Sequence, residues 1–176
     1  MKFDFLVVLL AFGMLWSGCL LAQDSGAQSS AGYKYVPVRT YDPARSAAAD
    51  IERAIAEARK TGRRILLDIG GDWCPWCHKL DQFFQEHADV LQVREDNFVT
   101  VAVYYGSENK NEQILSHYSN ILGIPHIFVL DEDGALLHSQ HVVELQTGGI
   151  YNPEKVKEFL TRWSPQKTSP DSPTGR

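Results

Sequence analysis

Trp73-Cys74-Pro75-Trp76-Cys77 constrains this chain more than any other stretch. An apolar run, Ile65-Leu66-Leu67-Asp68-Ile69, lies just ahead of it, and an amphipathic run carrying Trp76, Leu80, Phe83, Phe84 and His87 follows. That pattern puts two cysteines, two residues apart, where a buried strand gives way to a helix. A sulfur at a helix N-terminus meets unpaired backbone N–H groups and the positive end of the macrodipole, which favour thiolate over thiol. Pro75 suits the first helical position, where its missing N–H costs nothing, so Cys74 falls at or near the N-cap. Cys74 is thus the better placed to attack, and Cys77, one turn on, to resolve a mixed disulfide.

The 176 residues, 44% of them hydrophobic, support one ordinary globular core. Net charge is −5 with both signs interspersed and no basic stripe, which argues against nucleic acid as a partner. Lys2 precedes an apolar run from Phe5 to Trp16, the length of a signal-peptide core and too short to span a bilayer. Leu20-Leu21-Ala22 suits cleavage after a small residue, giving a signal peptide at 1–22 and a chain starting at Gln23. Ser17-Gly18-Cys19 instead resembles a bacterial lipobox, which would make Cys19 a lipid anchor; Trp16 stands where that pattern prefers Leu, and the soluble form is favoured. With Cys19 removed or acylated, Cys74 and Cys77 are the only free cysteines. Disulfide scaffolds are denser than one close pair, so redox work suits the pair better than stapling.

Residues 23–32 are small and polar, a flexible lead-in, and 164–176, rich in Pro, Ser and Thr, read as a disordered tail. Residues 33–163 form one domain of alternating elements. Tyr35-Val36-Pro37-Val38 reads as a short edge strand. Asp42-Pro43 opens a helix to about Lys60, stopped by Thr61-Gly62. After the Ile65 strand and the Trp76 helix come a strand from Phe98 to Tyr105 and a short helix over Asn111–Tyr118. A strand over His126–Leu130 then turns at Asp131–Gly134 into Ala135–His141, and Asn152-Pro153 caps a helix ending near Trp163. The order β-α-β-α-β-α-β-β-α predicts a mixed sheet with helices on both faces.

Two rival chemistries use the same cysteines. A zinc half-site shares the spacing, with His78 as a third ligand, but no second Cys pair or spaced His pair completes it. Cys74-Pro75-Trp76-Cys77-His78 also matches the c-type haem attachment pattern. Beyond the signal segment the chain has no Met for an axial ligand, and the motif follows a buried strand. Asp131–Gly134 lacks the ligand spacing of a calcium loop and reads as a turn. No metal and no cofactor are expected.

Two separated segments carry a family resemblance. Asp68 to Cys77 is similar to the strand and active-site segment of thioredoxins, where an acidic residue lies six positions before the first cysteine and Trp directly precedes it. Gly123-Ile124-Pro125, followed by an apolar strand and a turn, resembles that family's cis-proline segment. The likeness covers about residues 45–163 and implies an α/β thioredoxin fold, a central mixed sheet flanked by helices on both faces. It implies a redox-active Cys74–Cys77 disulfide, with Asp68 as proton acceptor for Cys77. Pro125 would be cis against that disulfide, and Ile124 would offer its backbone to an extended substrate strand.

Trp73 and Trp76 would join the docking surface, although Trp76 also falls on the apolar side of its helix, where core packing competes. Asp68 is costly to bury unpaired among Ile and Leu, so its pKa should rise. Thioredoxins keep a buried Lys near this carboxylate, whereas Val101-Ala102-Val103-Tyr104-Tyr105 carries none. His78 and His126 are candidates to tune the sulfurs. The expected activity is reduction or exchange of disulfides in protein partners, in the periplasm, with a membrane electron donor resupplying the pair. Pro in the first slot between the cysteines resembles more oxidising relatives, while Asp68 and Trp73 resemble thioredoxin. Potentials for such proteins run from about −270 to −120 mV, and the balance here leans to a reductase. A non-enzymatic interaction module on the same fold is the competing class.

Overall fold

Strand β1 (Arg64–Gly70) is the centre of the molecule, and its apolar residues alternate between two cores. The structure, a computed structural model, describes residues 34–166; the expected signal peptide, Cys19, the lead-in and all but the start of the tail lie outside them. β1 is flanked by β2 (Phe98–Tyr104), parallel, and by β3 (His126–Leu130), antiparallel, and β4 (Leu136–His141) pairs antiparallel with β3. The sheet order is β2-β1-β3-β4. Asp68 stands opposite Ala102 on one side and Ile127 on the other.

Because side chains alternate faces along a strand, Ile65, Leu67 and Ile69 point one way and Leu66 the other. The first face packs with Val99, Val101, Phe128 and Leu130 on helix α1 (Ala47–Thr61), through Ala47, Ile51, Ala54 and Ala58. The second face packs with Phe98, Ile127 and Val129 on helices α2 (Pro75–Glu86), α3 (Ala88–Asn97) and α5 (Pro153–Arg162). Leu80, Phe83 and Phe84 of α2, Val90 of α3 and Val156, Phe159 and Leu160 of α5 close that core. Full burial of each such side chain stabilises the fold by roughly 1.5–3 kcal/mol. The sheet is thus mixed, with helices on both faces.

Several boundaries differ from the sequence reading, each for a local reason. Val38 makes a single bridge to Val101, with Ala102 N–H donating to its carbonyl at 2.9 Å. Pro37 has no N–H to extend the ladder. Asp42-Pro43 forms a turn, in which the Asp42 carboxylate accepts from Ala44 N–H at 2.8 Å. Helix α1 starts later, where Ser46 Oγ accepts from Ala49 N–H, and ends at Gly62, whose φ of 69° suits glycine.

Helix α3 was not anticipated at all, and α4 shrinks to Glu112–Leu115. A 3₁₀ turn (Val142–Leu145) and a small hairpin of β5 (Gln146–Thr147) and β6 (Ile150–Tyr151) also come as additions. Gly148 and Gly149 make the hairpin turn with φ of 61° and 78°. Asn152 caps α5 as expected, its side chain accepting from Lys155 N–H at 3.0 Å.

Candidate active site

Cys74 is the N-cap of α2, with extended φ −100° and ψ 109°, and Pro75 fills the first helical position. Its carbonyl accepts from Cys77 N–H at 3.1 Å, the first bond of the helix, and its own N–H donates to Gly71 at 2.9 Å. Both thiols are free and buried, 3% exposed at Cys74 and 2% at Cys77. The Ile124–Pro125 peptide is cis, and the Ile124 carbonyl accepts from Cys74 Sγ at 3.8 Å. Two chain segments 50 residues apart therefore meet at the first sulfur.

Beneath them, burial pushes the Cys77 thiol well above its ordinary pKa, reinforced by the hydrogen bond with Cys74; a backbone hydrogen bond at Gly71 pulls the other way. Asp68 lies behind Cys77 on the second face of β1. Burial raises its pKa from 3.8 to about 6, opposed by a hydrogen bond from Tyr41 and by the charge of Arg94, and helped by Asp81. Oδ1 of Asp68 is out of solvent and has no protein partner. The residue as a whole is only half-buried because it borders a cavity. At neutral pH the carboxyl is mostly ionised but within easy reach of protonation, which suits a proton acceptor.

The tryptophans part company with the core. Trp76 is 38% exposed with Lys79 Nζ 3.9 Å above its ring, so docking rather than core packing is open to it. Trp73 is 55% exposed and lies back over glycine backbone. A Cβ on Gly71 would come 2.7 Å from its Cδ1, and one on Gly106 2.7 Å from its Nε1. His78 is tied to the loop, its Nε2 2.7 Å from the Asp72 carbonyl oxygen. His126 is 1% exposed and engages Ser139 Oγ at 2.8 Å and the edge of Phe128; burial lowers its pKa to about 4. Among the described residues no group of three or more His, Cys, Asp or Glu converges to hold a metal ion.

Sequence reasoning passed over Tyr41, Arg94 and Gly70. Tyr41 precedes α1 in an irregular segment, and Arg94 sits on the unanticipated α3, 8% exposed over the Phe84 ring. Gly70 was visible as the residue ending an apolar strand; a Cβ there would lie 2.6 Å from Cys77 Sγ.

A thioredoxin-like family model matches residues 46–132, which include β1, both cysteines and the cis-proline. Over that stretch the chain is similar to the thioredoxin-like family. This thioredoxin-like protein is 29% identical over 108 residues to the thiol:disulfide interchange protein DsbD of Citrobacter koseri. It is 24% identical over the same length to that of Escherichia coli K12. In both comparisons 61% of the chain is matched, and it spans 17% of the relative's length. Among solved structures, a disulphide isomerase from Xylella fastidiosa Temecula1 aligns with a TM-score of 0.61 at 22% identity, covering 73% of this chain and 98% of that one. The oxidised C-terminal domain of Neisseria meningitidis DsbD aligns at 0.54 and 17% identity, covering 72% and 99%. These two likenesses establish the fold.

Proposed function

We propose that this thioredoxin-like protein is an exported reductant of protein disulfides that works through Cys74 and Cys77. The observation that carries the reading is the meeting of Cys74, at the helix N-cap, with the Ile124 carbonyl of the cis-proline segment. An extended partner strand reaching Ile124 brings its disulfide against Cys74. The Cys74 sulfur attacks, one partner sulfur leaves with its electron pair, and a mixed disulfide remains. Cys77, its proton taken toward Asp68, attacks Cys74 Sγ, forming the Cys74–Cys77 bond and releasing the second partner thiolate. Trp73 and Trp76 supply exposed apolar area beside the sulfurs. Export rests on the leader at residues 1–22, and resupply of electrons falls to a membrane-bound dithiol donor.

The test is a set of single-cysteine variants. Cys77→Ser is expected to trap partners as mixed disulfides that Cys74→Ser does not form, and Cys74→Ser to lose all turnover. Stable partner binding by Cys74→Ser, with no covalent trapping by Cys77→Ser, would establish an interaction module instead. Equilibration in glutathione buffers gives the direction: a two-thiol step near or below about −250 mV fits a reductant, and one near −120 mV a disulfide donor.

A further inference from the structure

Tyr41 lies beside both Asp68 and Cys77. Its hydroxyl faces the Asp68 carboxylate, and Asp68 and Cys77 both act on it electrostatically. Gly70 shows how close it comes to the sulfur. A Cβ built there would lie 2.6 Å from Cys77 Sγ and 2.8 Å from Tyr41 Oη, so the thiol and the phenol flank the same small space. On its far side Asp68 borders a cavity of about 240 Å³, which Thr100, Arg94, Asp81 and Arg39 also line. Oδ1 of Asp68 and Oγ1 of Thr100 are both buried there without a protein partner. Such a cavity is polar and large enough for water, which would satisfy both atoms.

We propose that Tyr41 carries the proton from Cys77 to Asp68 during resolution and that the carboxyl releases it into this cavity. This rests on the reading of Cys77 as the resolving thiol. The Cys77 S–H gives its proton to Tyr41 Oη while the Tyr41 O–H passes its own to the Asp68 carboxylate. The freed Cys77 sulfur attacks Cys74 Sγ, the Cys74–Cys77 bond forms, and the bond from Cys74 to the partner breaks with the electron pair leaving on the partner sulfur. The partner gains two electrons, the dithiol loses them, and one proton stays on Asp68 until water in the cavity takes it.

Transfer through Tyr41 is concerted, because burial and the neighbouring carboxylate hold its phenol far above the ordinary range and disfavour a free phenolate. The charges facing Asp68 from the packed elements are Asp81 on α2, which favours the protonated form, and Arg94 on α3, which opposes it. Arg39 adds a further positive group at the cavity wall. The cavity opens toward β2, on the opposite edge of β1 from β3 and the cis-proline segment.

The experiment uses the reduced full domain and glutathione disulfide as the probe, following glutathione release from the Cys74 adduct by rapid mixing between pH 6 and 10. Tyr41→Phe keeps the ring and removes the hydroxyl. Its resolution rate is expected to fall roughly 10²-fold at pH 7, the size of a lost proton-transfer partner, and to recover as hydroxide takes over at high pH. Attack by Cys74, measured in the Cys77→Ser background, is expected to be unchanged by Tyr41→Phe. Equal resolution rates and pH profiles for Tyr41→Phe and the parent overturn the relay, as does an equal loss in both steps, which marks a merely structural role. A parent protein that never resolves its glutathione adduct overturns the proposed activity instead.

Discussion

Replacing Asp68 with Asn keeps the shape of the side chain and an oxygen for the Tyr41 hydroxyl, but removes the charge. In the folded protein this carboxyl titrates at about 6, against 3.8 unperturbed, chiefly because burial strips water from the ionised form. A carboxyl whose folded pKa is raised binds its proton more tightly when folded, so ionisation weakens the fold. The penalty is absent below pH 3.8, grows as pH rises through 6, and is complete above it. Two pH units correspond to about 3 kcal/mol at 1.36 kcal/mol each. Asp68→Asn is therefore expected to match the parent near pH 3.5 and to exceed it by about 3 kcal/mol at pH 8. In a domain of this size that is a rise of roughly 10 °C in Tm. Urea unfolding of both proteins with thiols reduced, followed by tryptophan fluorescence at several pH values, measures the gap. Every other titrating group is common to both. A gap that is flat with pH, or absent at pH 8, would refute the account of Asp68 as a carboxylate held at a cost in stability.

Two further outcomes test the surroundings of the site. His126 is buried neutral with its pKa lowered to about 4, so its contribution is full above 6.5 and is lost as pH falls from 6.5 through 4; His126→Gln, assayed by thermal melts across that window, is expected to lose this acid-sensitive component, and an unchanged pH slope counts against it. Gly70→Ala places a methyl against Cys77 Sγ and Tyr41 Oη, neither of which sits at the free end of an exposed chain. It is expected to cost about 1–3 kcal/mol and to slow resolution more than initial attack, and full stability with parental kinetics would show that the space above Gly70 is looser than described.

The centre of the fold was legible because two strong signals overlapped there. β1 is apolar on both faces, and the Cys-Pro-Trp-Cys run fixes where its helix must begin. Asn152-Pro153 likewise announced α5, since an Asx cap followed by Pro has few other uses. Asp42-Pro43 carries the same signature and made a turn, because a serine four residues on provided the cap that tertiary packing used. Helix α3 stayed hidden because the break before it falls at His87, with φ −118° and ψ 75°, at neither Gly nor Pro. Its Arg94 could not then be placed beside Asp68, although the absence of a lysine on β2 left that charge to be found elsewhere. Cys74, Cys77, Asp68 and the cis Ile124–Pro125 bond come from local motifs. Tyr41 belongs to no motif and enters the site only through the three-dimensional path of the chain ahead of α1.

The hydrogen-bond ladders on both sides of β1 also set how the site moves. Leu67, Asp68 and Ile69 pair with β2 on one edge and with β3 on the other. Local opening cannot free them without breaking both ladders, so their amides should exchange with solvent only when the whole domain unfolds. The residues feeding the sulfurs are thus among the slowest parts of the molecule. Under the proposed function, accommodation of differently shaped partners would fall to the coil ahead of Pro125, where Leu122 stands 75% exposed and no ladder restrains the backbone.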